Sequence, residues 1–461
     1  MNSTAICWLL IWLCLSTVGL VRPVFAAIAY LLVFYTNPSA WWFGSGLLTG
    51  ITSRWTLLST SILVLSLLIN GRFFLRPEER GLRTFVIGSL FLLANVCVVH
   101  YNFAANPLLS EKVFNEYWRG IMGAILLVLA LRDRQELNLF LIGVVACTFL
   151  ASFEIIVGGQ GGMERGRLEG FSFPGANGSN GGSVVLVFAL PLIGYFLLSS
   201  RNLFVTLGGL ASAVFTVETL FRCNSRGAYV GLIAAGSTVL ALSRGKVRRK
   251  AMILVAFGSL GVLAIAKDAK IWDRFYSIFA EEEERDASAE SRLFFWKAGI
   301  AMVVDYPFGS GGKGAFYSSR GMPYISSQYS DFRSVHNGPL DMAAAWGIQG
   351  ISVFMMLYLL SMFRVYRKMQ YLTEAGLVRE SFMGVCILGS LAGTFIGTFF
   401  TSVLDGEWFM WLIGAGLVYA DLTFEADPEE SALVDALESE DVEEVTDDLY
   451  TEEENQVFSR I

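Results

Sequence analysis

The chain has 461 residues, of which 54% are hydrophobic and only 16% charged, and its mean hydropathy is +0.54. A soluble globular domain has no use for that much apolar sequence, so the composition excludes an ordinary soluble protein. The net charge of −7 comes from the C-terminus, because residues 425–461 hold fifteen acidic residues against one arginine. That net of −14 leaves +7 on residues 1–424, so the acidic balance says nothing about the partners of the main body.

Apolar runs recur from one end of the main body to the other, and each is predicted to form a helix. They cover residues 5–21, 24–36, 55–70, 84–101, 119–131, 137–157, 183–199, 203–220, 228–243, 251–266, 340–363, 383–403 and 407–420. In lipid only helices and closed barrels satisfy the backbone, and runs this long without alternation are typical of helices. We therefore expect an all-α, polytopic membrane protein with about 12 transmembrane helices. The first run lacks a basic start, so we expect a membrane helix there and not a signal peptide.

Lysine and arginine in the short loops set the expected orientation. Sixteen of them fall on one side: Arg72, Arg76, Arg80, Arg83, Arg132, Arg134, Arg201, Arg244, Lys246, Arg248, Arg249, Lys250, Arg364, Arg367, Lys368 and Arg379. Seven fall on the other: Arg54, Lys112, Arg119, Arg165, Arg167, Arg222 and Arg226. The first side is predicted to be cytoplasmic, which places the long segment 267–338 outside. The segment 425–461 is too acidic and too poor in apolar residues to fold alone, so we expect a disordered cytoplasmic tail.

The outer segment 267–338 contains two features of its own. Residues 290–304 are predicted to form an amphipathic helix at the membrane interface, with Leu293, Phe294, Trp296, Ile300, Met302 and Val303 on its apolar side. Residues 309–314 are glycine-rich and end in Lys313-Gly314, but the spacing and the missing Ser or Thr rule out a phosphate loop of the nucleotide-binding type. We expect instead a flexible turn near a substrate groove.

His336 stands directly before the apolar run 340–363, with Pro339 well placed in the first helical turn. The free amides and the positive dipole end of that helix would face the same space as the imidazole. This setting suits phosphate binding or proton transfer, and it equally suits a histidine that only caps a helix at the interface.

Three arginines also fall at the outer ends of predicted helices: Arg167, Arg226 and Arg292. A single arginine in such a place can be a headgroup anchor or a member of a local ion pair. Several of them together with one histidine suit a different task, because a guanidinium grips phosphate oxygens with two parallel hydrogen bonds and keeps its charge.

A metal site is not expected. The six cysteines form no CxxC pair and no metal spacing, and they lie mostly inside apolar runs, where they act as small packing residues. The second histidine, His100, ends an apolar run and is interpreted as structural.

The outer motifs resemble those of the O-antigen ligase and O-antigen polymerase superfamily, over roughly residues 84–420 and most specifically over 291–350. The motifs are Gly166-Arg167, Ser225-Arg226-Gly227-Ala228, Ser291-Arg292 with Trp296, Asp305-x-Pro307, Gly309-x-Gly311 with Phe316, His336-Asn337-x-x-Leu340 and Gly347-x-x-Gly350. The resemblance implies a GT-C-like membrane glycosyltransferase that uses a glycan carried on undecaprenyl diphosphate. It implies catalytic roles for Arg226, Arg292 and His336, and substrate-binding roles for Arg167 and Asn337.

The expected reaction is metal-independent transfer of the glycan to an acceptor hydroxyl, such as that of lipid A–core, at the periplasmic face of the bacterial inner membrane. No cofactor and no nucleic acid are expected. His336 would act as a general base or as a phosphate ligand, and Asp341 and Glu407 are the fallback bases. O-antigen or exopolysaccharide polymerases and protein O-oligosaccharyltransferases share the pattern and remain alternatives. A transporter of polyprenyl-linked glycans is the alternative of another class, although few charges fall inside the predicted spans.

Overall fold

The structure, a computed structural model, describes residues 3–38, 54–164, 166–173, 176–245, 247–253, 255–256, 287–312, 318, 320–325 and 334–424. The helices are α1 Ser3–Gly19, α2 Pro23–Thr36, α3 Trp55–Ile69, α4 Arg80–Phe103, α5 Pro107–Leu129, α6 Arg134–Ile156, α7 Gly178–Ser199, α8 Leu203–Cys223, α9 Arg226–Leu242, α10 Ala287–Asp305, α11 Met322–Ile325, α12 Gly338–Glu374, α13 Val378–Thr398 and α14 Glu407–Asp421. Residues 247–253 are also helical. The acidic segment 425–461 and most of the apolar run 251–266 lie outside the described residues.

Six of these helices are long and apolar enough to cross a membrane: α4, α6, α7, α8, α12 and α13. Four more apolar helices, α1, α2, α3 and α9, have 10–17 residues. At 1.5 Å per residue these four fall short of a hydrocarbon core about 30 Å thick. The chain is thus a mostly helical, multi-pass membrane protein, and within the described residues six helices meet the spanning criterion. The expected number of about twelve spans stays a prediction.

Helix α14 lies at the centre of the bundle, where α4, α5, α12 and α13 pack around it. Nearly every side chain from Trp408 to Tyr419 is buried. A helix that is apolar on all sides has no face for solvent, and its burial in the core is the consequence. The adjacent pair α9 and α13 packs closely through glycine: a Cβ on Gly231 would lie 2.7 Å from the carbonyl oxygen of Gly393. Small residues allow such backbone contact between membrane helices.

Two short antiparallel hairpins modify the all-α expectation. Strand β1 (Gly162–Glu164) pairs with β2 (Arg167–Glu169), and β3 (Ser172–Phe173) pairs with β4 (Ala176–Asn177). Both lie between α6 and α7, where no strand was predicted. Gly161, Gly166, Gly170 and Gly178, at the ends of these strands, have positive φ angles, which L side chains rarely adopt, and this permits the tight turns.

One end of the bundle is tied together by ion pairs. Arg72 pairs with Glu136, Arg132 with Glu79, Arg134 with Glu380 and Arg364 with Asp421. All four arginines belong to the set of sixteen cations predicted for the cytoplasmic side. The structure therefore brings these members of the set to one end of the molecule.

Helix α12 is broken at Gly347, which has φ 81° and ψ 169°. The segment Pro307–Gly312 fills the break with its own backbone. The amides of Ser310 and Gly311 donate to the carbonyl oxygens of Ala344 and Ala345, at 3.0 and 2.9 Å. The amide of Ile348 donates in turn to the carbonyl of Pro307 at 2.8 Å. These three backbone groups of α12 thus find partners within the protein, as groups freed by an interruption in a membrane helix require.

The break divides α12 into a short half-helix, Gly338–Trp346, and the long remainder. It also corrects the expectation of a flexible turn at the glycine-rich motif. Residues 309–312 are held by main-chain hydrogen bonds, because Gly309 and Gly311 adopt positive φ angles that let them approach the α12 backbone. Lys313 and Gly314 lie outside the described residues.

Candidate functional site

His336 lies at the entrance of the half-helix, with the left-handed φ of 50°. The next residue, Asn337, is buried and caps the helix: its side-chain oxygen accepts a hydrogen bond from the amide of Leu340 at 3.1 Å. The helix begins at Gly338, one residue before the predicted Pro339. Asn337 therefore has a structural task, and its predicted contact with substrate would have to involve its other polar atoms. His336 itself is half-buried.

The connection between α13 and α14, residues 399–406, packs against this entrance. A Cβ on Gly338 would lie 2.9 Å from the Cβ of Leu404, so only glycine fits there. The hydroxyls of Ser334 and Ser402 are 2.7 Å apart and share a hydrogen bond. The loop that carries His336 is thus fixed on both sides by the α13–α14 connection.

Arg226 is the first residue of α9, and the same connection holds it in place. Gly227, the next residue, packs so closely on Phe400 that a Cβ would meet the phenyl side chain at 2.4 Å. Ser225, directly before Arg226, is buried and donates its hydroxyl to Asn180 Oδ1 at 3.1 Å. The α13–α14 connection therefore borders both Arg226 and the loop of His336.

Arg292 is brought to this region by a small apolar cluster separate from the main core. The cluster contains Phe295 and Met302 of α10, and Val335, the residue before His336. Arg292 precedes Phe295 by three positions, so the two side chains share one face of α10. Arg292 therefore lies on the side of α10 that packs against the loop of His336.

The predicted helix at 290–304 is confirmed as α10, and its place at the membrane interface stays a prediction. Met302 packs inward, whereas Leu293 and Ile300 are exposed and Phe295 takes the central buried position. Phe295 is buried because it packs on Val335 and Ala344, and the sequence pattern of α10 alone does not reveal these contacts.

Arg167 lies on strand β2 and joins three elements. Its guanidinium donates to the carbonyl of Cys223 at 3.2 Å and to Asn180 Oδ1 at 2.6 Å. The side-chain amide of Asn224 donates to the carbonyl of Gly166 at 3.4 Å. Arg167 thus fastens the hairpin to the turn that precedes Arg226. The structure gives it a positioning role, and its predicted contact with substrate remains a prediction.

The two fallback bases predicted from the sequence, Glu407 and Asp341, lie in different parts of the structure. Glu407 accepts hydrogen bonds from the Tyr30 hydroxyl at 2.7 Å and from the Trp411 indole at 3.1 Å, both on the same oxygen. Asp341 lies in the first turn of the half-helix. A further carboxylate, Asp405, lies half-buried in the α13–α14 connection. Sequence reasoning missed Asp405 and Asn180, because no motif marks a residue that meets the site only through folding.

The electrostatic potential is positive where the segments of Arg226, Arg292 and His336 meet. Helices α9 and α12 both begin here, so the positive ends of their dipoles lie beside the segments that carry Arg226, Arg292 and His336. Guanidinium groups next to helix amino ends favour a ligand with several anionic oxygens, such as a phosphate or diphosphate. Among the residues that the structure describes, no group of three or more His, Cys, Asp and Glu side chains could hold a metal ion.

Two protein-family models match the chain. Residues 210–355 match a family described as O-antigen ligase, and residues 3–200 match a family of unknown function, DUF5935. No curated protein shows significant similarity to the chain. The first match contains Arg226, Arg292 and His336, whereas Arg167 falls within the second. Residues 210–355 are therefore similar to the O-antigen ligase family, in agreement with the resemblance predicted from the motifs of residues 291–350.

Proposed function

We propose that the protein is an O-antigen ligase-like glycosyltransferase. It would move a glycan from undecaprenyl diphosphate to an acceptor hydroxyl, on lipid A–core, at the periplasmic face of the bacterial inner membrane. The observation that carries the proposal is the common neighbourhood of Arg226, Arg292 and His336. The segments that carry Arg226 and His336 both contact the α13–α14 connection, through Gly227–Phe400 and Ser334–Ser402. The segment that carries Arg292 contacts the loop of His336 through Phe295 and Val335.

The chemistry assigned to these residues is one displacement. The bond between the sugar's anomeric carbon and the phosphate oxygen breaks, and the acceptor oxygen forms a bond to the same carbon. Undecaprenyl diphosphate leaves with the bonding electron pair, and its oxygens gain charge. Arg226 and Arg292 would stabilise that developing charge, which is where preorganised donors contribute most to catalysis. In this scheme His336 takes the proton of the acceptor hydroxyl, a role suited to an imidazole near neutral pH.

A transporter is less well supported by the geometry. Interrupted membrane helices often line the substrate path of transporters, and α12 is interrupted at Gly347. In this protein, however, the interruption is occupied by the backbone of Pro307–Gly312. The broken ends of α12 are therefore engaged with the protein itself and do not line a path.

The products that accumulate in a deletion strain test the reaction and separate it from its relatives. Loss of a ligase leaves complete polymer on the lipid carrier and no polymer on lipid A–core. Loss of a polymerase leaves single repeats on lipid A–core, and loss of a protein O-oligosaccharyltransferase changes the glycans on proteins only. A surface glycan profile identical to wild type in all three fractions would overturn the proposal.

A further inference from the structure

A cavity of about 440 Å³ opens at the turn between α4 and α5, apart from the arginines and His336. It is lined by the last turn of α4 and the first two turns of α5, including His100, Tyr101, Glu111, Phe114 and Asn115. The volume lies within the range of small-molecule sites, roughly 300–1,000 Å³. The lining combines aromatic rings with amide and carboxylate groups.

The aromatic wall is preformed. The His100 ring stacks on Phe114, with centroids 4.4 Å apart and planes 6° from parallel. Tyr101 stands edge-on to both rings. His100 is fixed by a 2.9 Å hydrogen bond between its Nδ1 and the hydroxyl of buried Ser110. Tyr101, by contrast, is 74% exposed, so its ring face is available to a ligand.

The polar groups of the cavity are only partly used by the protein. Asn102, also in the lining, donates its amide nitrogen to the carbonyl of Val98, and the amide oxygen of Asn115 accepts a hydrogen bond from the Trp118 indole. The Asn102 oxygen and the Asn115 nitrogen remain, as does the Glu111 carboxylate, which has no ion-pair partner among the described residues. One donor and two acceptors thus lie beside aromatic faces, and vicinal hydroxyl groups complement such a set.

The cavity is connected to the site of His336. The Ser110 hydroxyl that holds His100 also accepts the amide of Gly312 at 3.2 Å. Gly311, its neighbour, donates to Ala345 of the half-helix. That half-helix begins beside His336, and its nine residues measure about 14 Å at 1.5 Å per residue. A short oligosaccharide can cover this distance.

We propose that the α4–α5 cavity binds a sugar residue of the glycan substrate, remote from the bond that reacts, and that it selects neutral or amino sugars over phosphorylated ones. Aromatic rings pack on the C–H faces of a sugar while amide and carboxylate groups take its hydroxyls. The charge on Glu111, which has no ion-pair partner in the described part of the chain, repels anionic sugars and favours an ammonium group. The identification of the ligand as substrate glycan rests on the proposed function; the sugar site itself does not.

Saturation-transfer NMR on the full-length protein in lipid nanodiscs tests the site, with three probes: triacetylchitotriose, glucosamine and the phosphate ester of glucosamine. The first two should bind and the third should bind more weakly. Tyr101→Ala should weaken binding by roughly three- to tenfold, the size of one aromatic contact. Glu111→Gln should reduce the preference for glucosamine over its phosphate ester. Tyr371→Ala, which removes a 61% exposed tyrosine of α12, is the matched control and should change nothing.

The alternative role of Tyr101 is that of an aromatic anchor at the membrane surface. In that case Tyr101→Ala would leave probe binding unchanged, and the proposal would be overturned. It would also be overturned if none of the three probes bound to the wild-type protein, or if the phosphate ester bound as well as glucosamine. Binding that depends on Tyr101 in a protein without transferase activity would support the cavity and count against the proposed function alone. The same measurement on His336→Ala should give wild-type binding.

Discussion

At the scale of single residues, His336 combines a half-buried side chain with a strained backbone. Its φ of 50° costs a non-glycine residue on the order of 1 kcal/mol. We expect His336→Ala to abolish glycan transfer, because the base or phosphate ligand is removed. His336→Gly should abolish transfer equally while matching or exceeding the thermal stability of the wild type, since glycine adopts this φ freely. In-vitro transfer and melting temperature, measured on the same preparations, separate chemistry from folding. A wild-type transfer rate in either variant would remove His336 from the site.

The pH dependence of transfer distinguishes the two roles of His336. A general base must be neutral, so activity should fall on the acid side, through the range near pH 6.5 where an imidazole ordinarily protonates. A phosphate ligand must be charged, so activity would instead fall as the pH rises. His336→Arg provides the check: it should be inactive if His336 is a base, and it should keep measurable transfer without the fall at high pH if His336 binds phosphate. We favour the base, because Arg226 and Arg292 already supply positive charge.

The arginines are predicted to act through the shape of the guanidinium and not through charge alone. Arg226→Lys and Arg292→Lys should each lose transfer by a factor of about 10² or more, since one lost transition-state donor costs on the order of 3–4 kcal/mol. Arg222→Lys is the matched control. Arg222 lies four residues from Arg226 but is exposed and pairs with Glu218, so its variant should stay active. Equal activity in all three lysine variants would mean that the two arginines only anchor the protein.

If Arg226 and Arg292 stabilise the charge that develops on the leaving diphosphate, transfer needs no divalent cation. The rate should then be unchanged in EDTA after dialysis, and added Mg²⁺ or Mn²⁺ should not raise it. A loss of activity in EDTA that Mg²⁺ restores would contradict the metal-independent mechanism, and it would direct attention to Asp405 and Asp341 as ligands. Expression and membrane insertion of the protein are identical in both arms, because only the assay buffer changes.

At the scale of elements, the break in α12 determines how the half-helix that begins after His336 is oriented relative to the rest of α12. Gly347 has a φ of 81° with a ψ of 169°, a region that only glycine populates, so Gly347→Ala should cost about 1–3 kcal/mol and lower transfer as well. Gly194→Ala, in the middle of α7 with open space at its Cβ position, should be neutral or stabilising by roughly 0.5–1 kcal/mol. Thermal unfolding of both variants in detergent checks the contrast. Equal stability of the two would show that the break is not specified by Gly347.

Most of the helices could be predicted from the sequence, because long apolar runs without alternation leave few other structures in lipid. The break at Gly347 could not, since the motif Gly347-x-x-Gly350 marks this glycine among 46 but does not indicate that the helix is interrupted there. The interruption is accompanied by the insertion of residues 307–312, some forty positions upstream. The two hairpins before α7 were missed for a related reason: strands of two or three residues are too short to show a period.

The candidate site was predictable to the extent that motifs mark it. Arg226, Arg292 and His336 stand in recognisable motifs, and the family match over 210–355 contains all three. Their neighbours Ser402 and Phe400 could not be found in this way, because they reach the site through the packing of α13 on α9. Arg167 was found, but its hydrogen bonds to Cys223 and Asn180 could not be foreseen from sequence.

At the scale of the whole molecule, the two ends of the bundle differ in kind. One end holds the four ion pairs, among them Arg72–Glu136 and Arg364–Asp421. The other holds the beginnings of α9 and α12, the hairpins and the α4–α5 cavity. The sixteen-to-seven distribution of cations in short loops predicts that the ion-paired end faces the cytoplasm. A donor carried on a lipid of the outer leaflet would then meet the end that contains His336.

Cysteine labelling tests this orientation in a background with the six native cysteines replaced. Met163→Cys reports on the first hairpin, Phe74→Cys on the ion-paired end and Ser459→Cys on the acidic tail; Met163 and Phe74 are 59% and 82% exposed. In intact spheroplasts an impermeant maleimide should label only the Met163→Cys protein, and all three should react after permeabilisation. Labelling of the tail or of position 74 in intact cells, with none at position 163, would invert the topology. It would then place His336 on the cytoplasmic side, where a periplasmic transfer reaction is impossible.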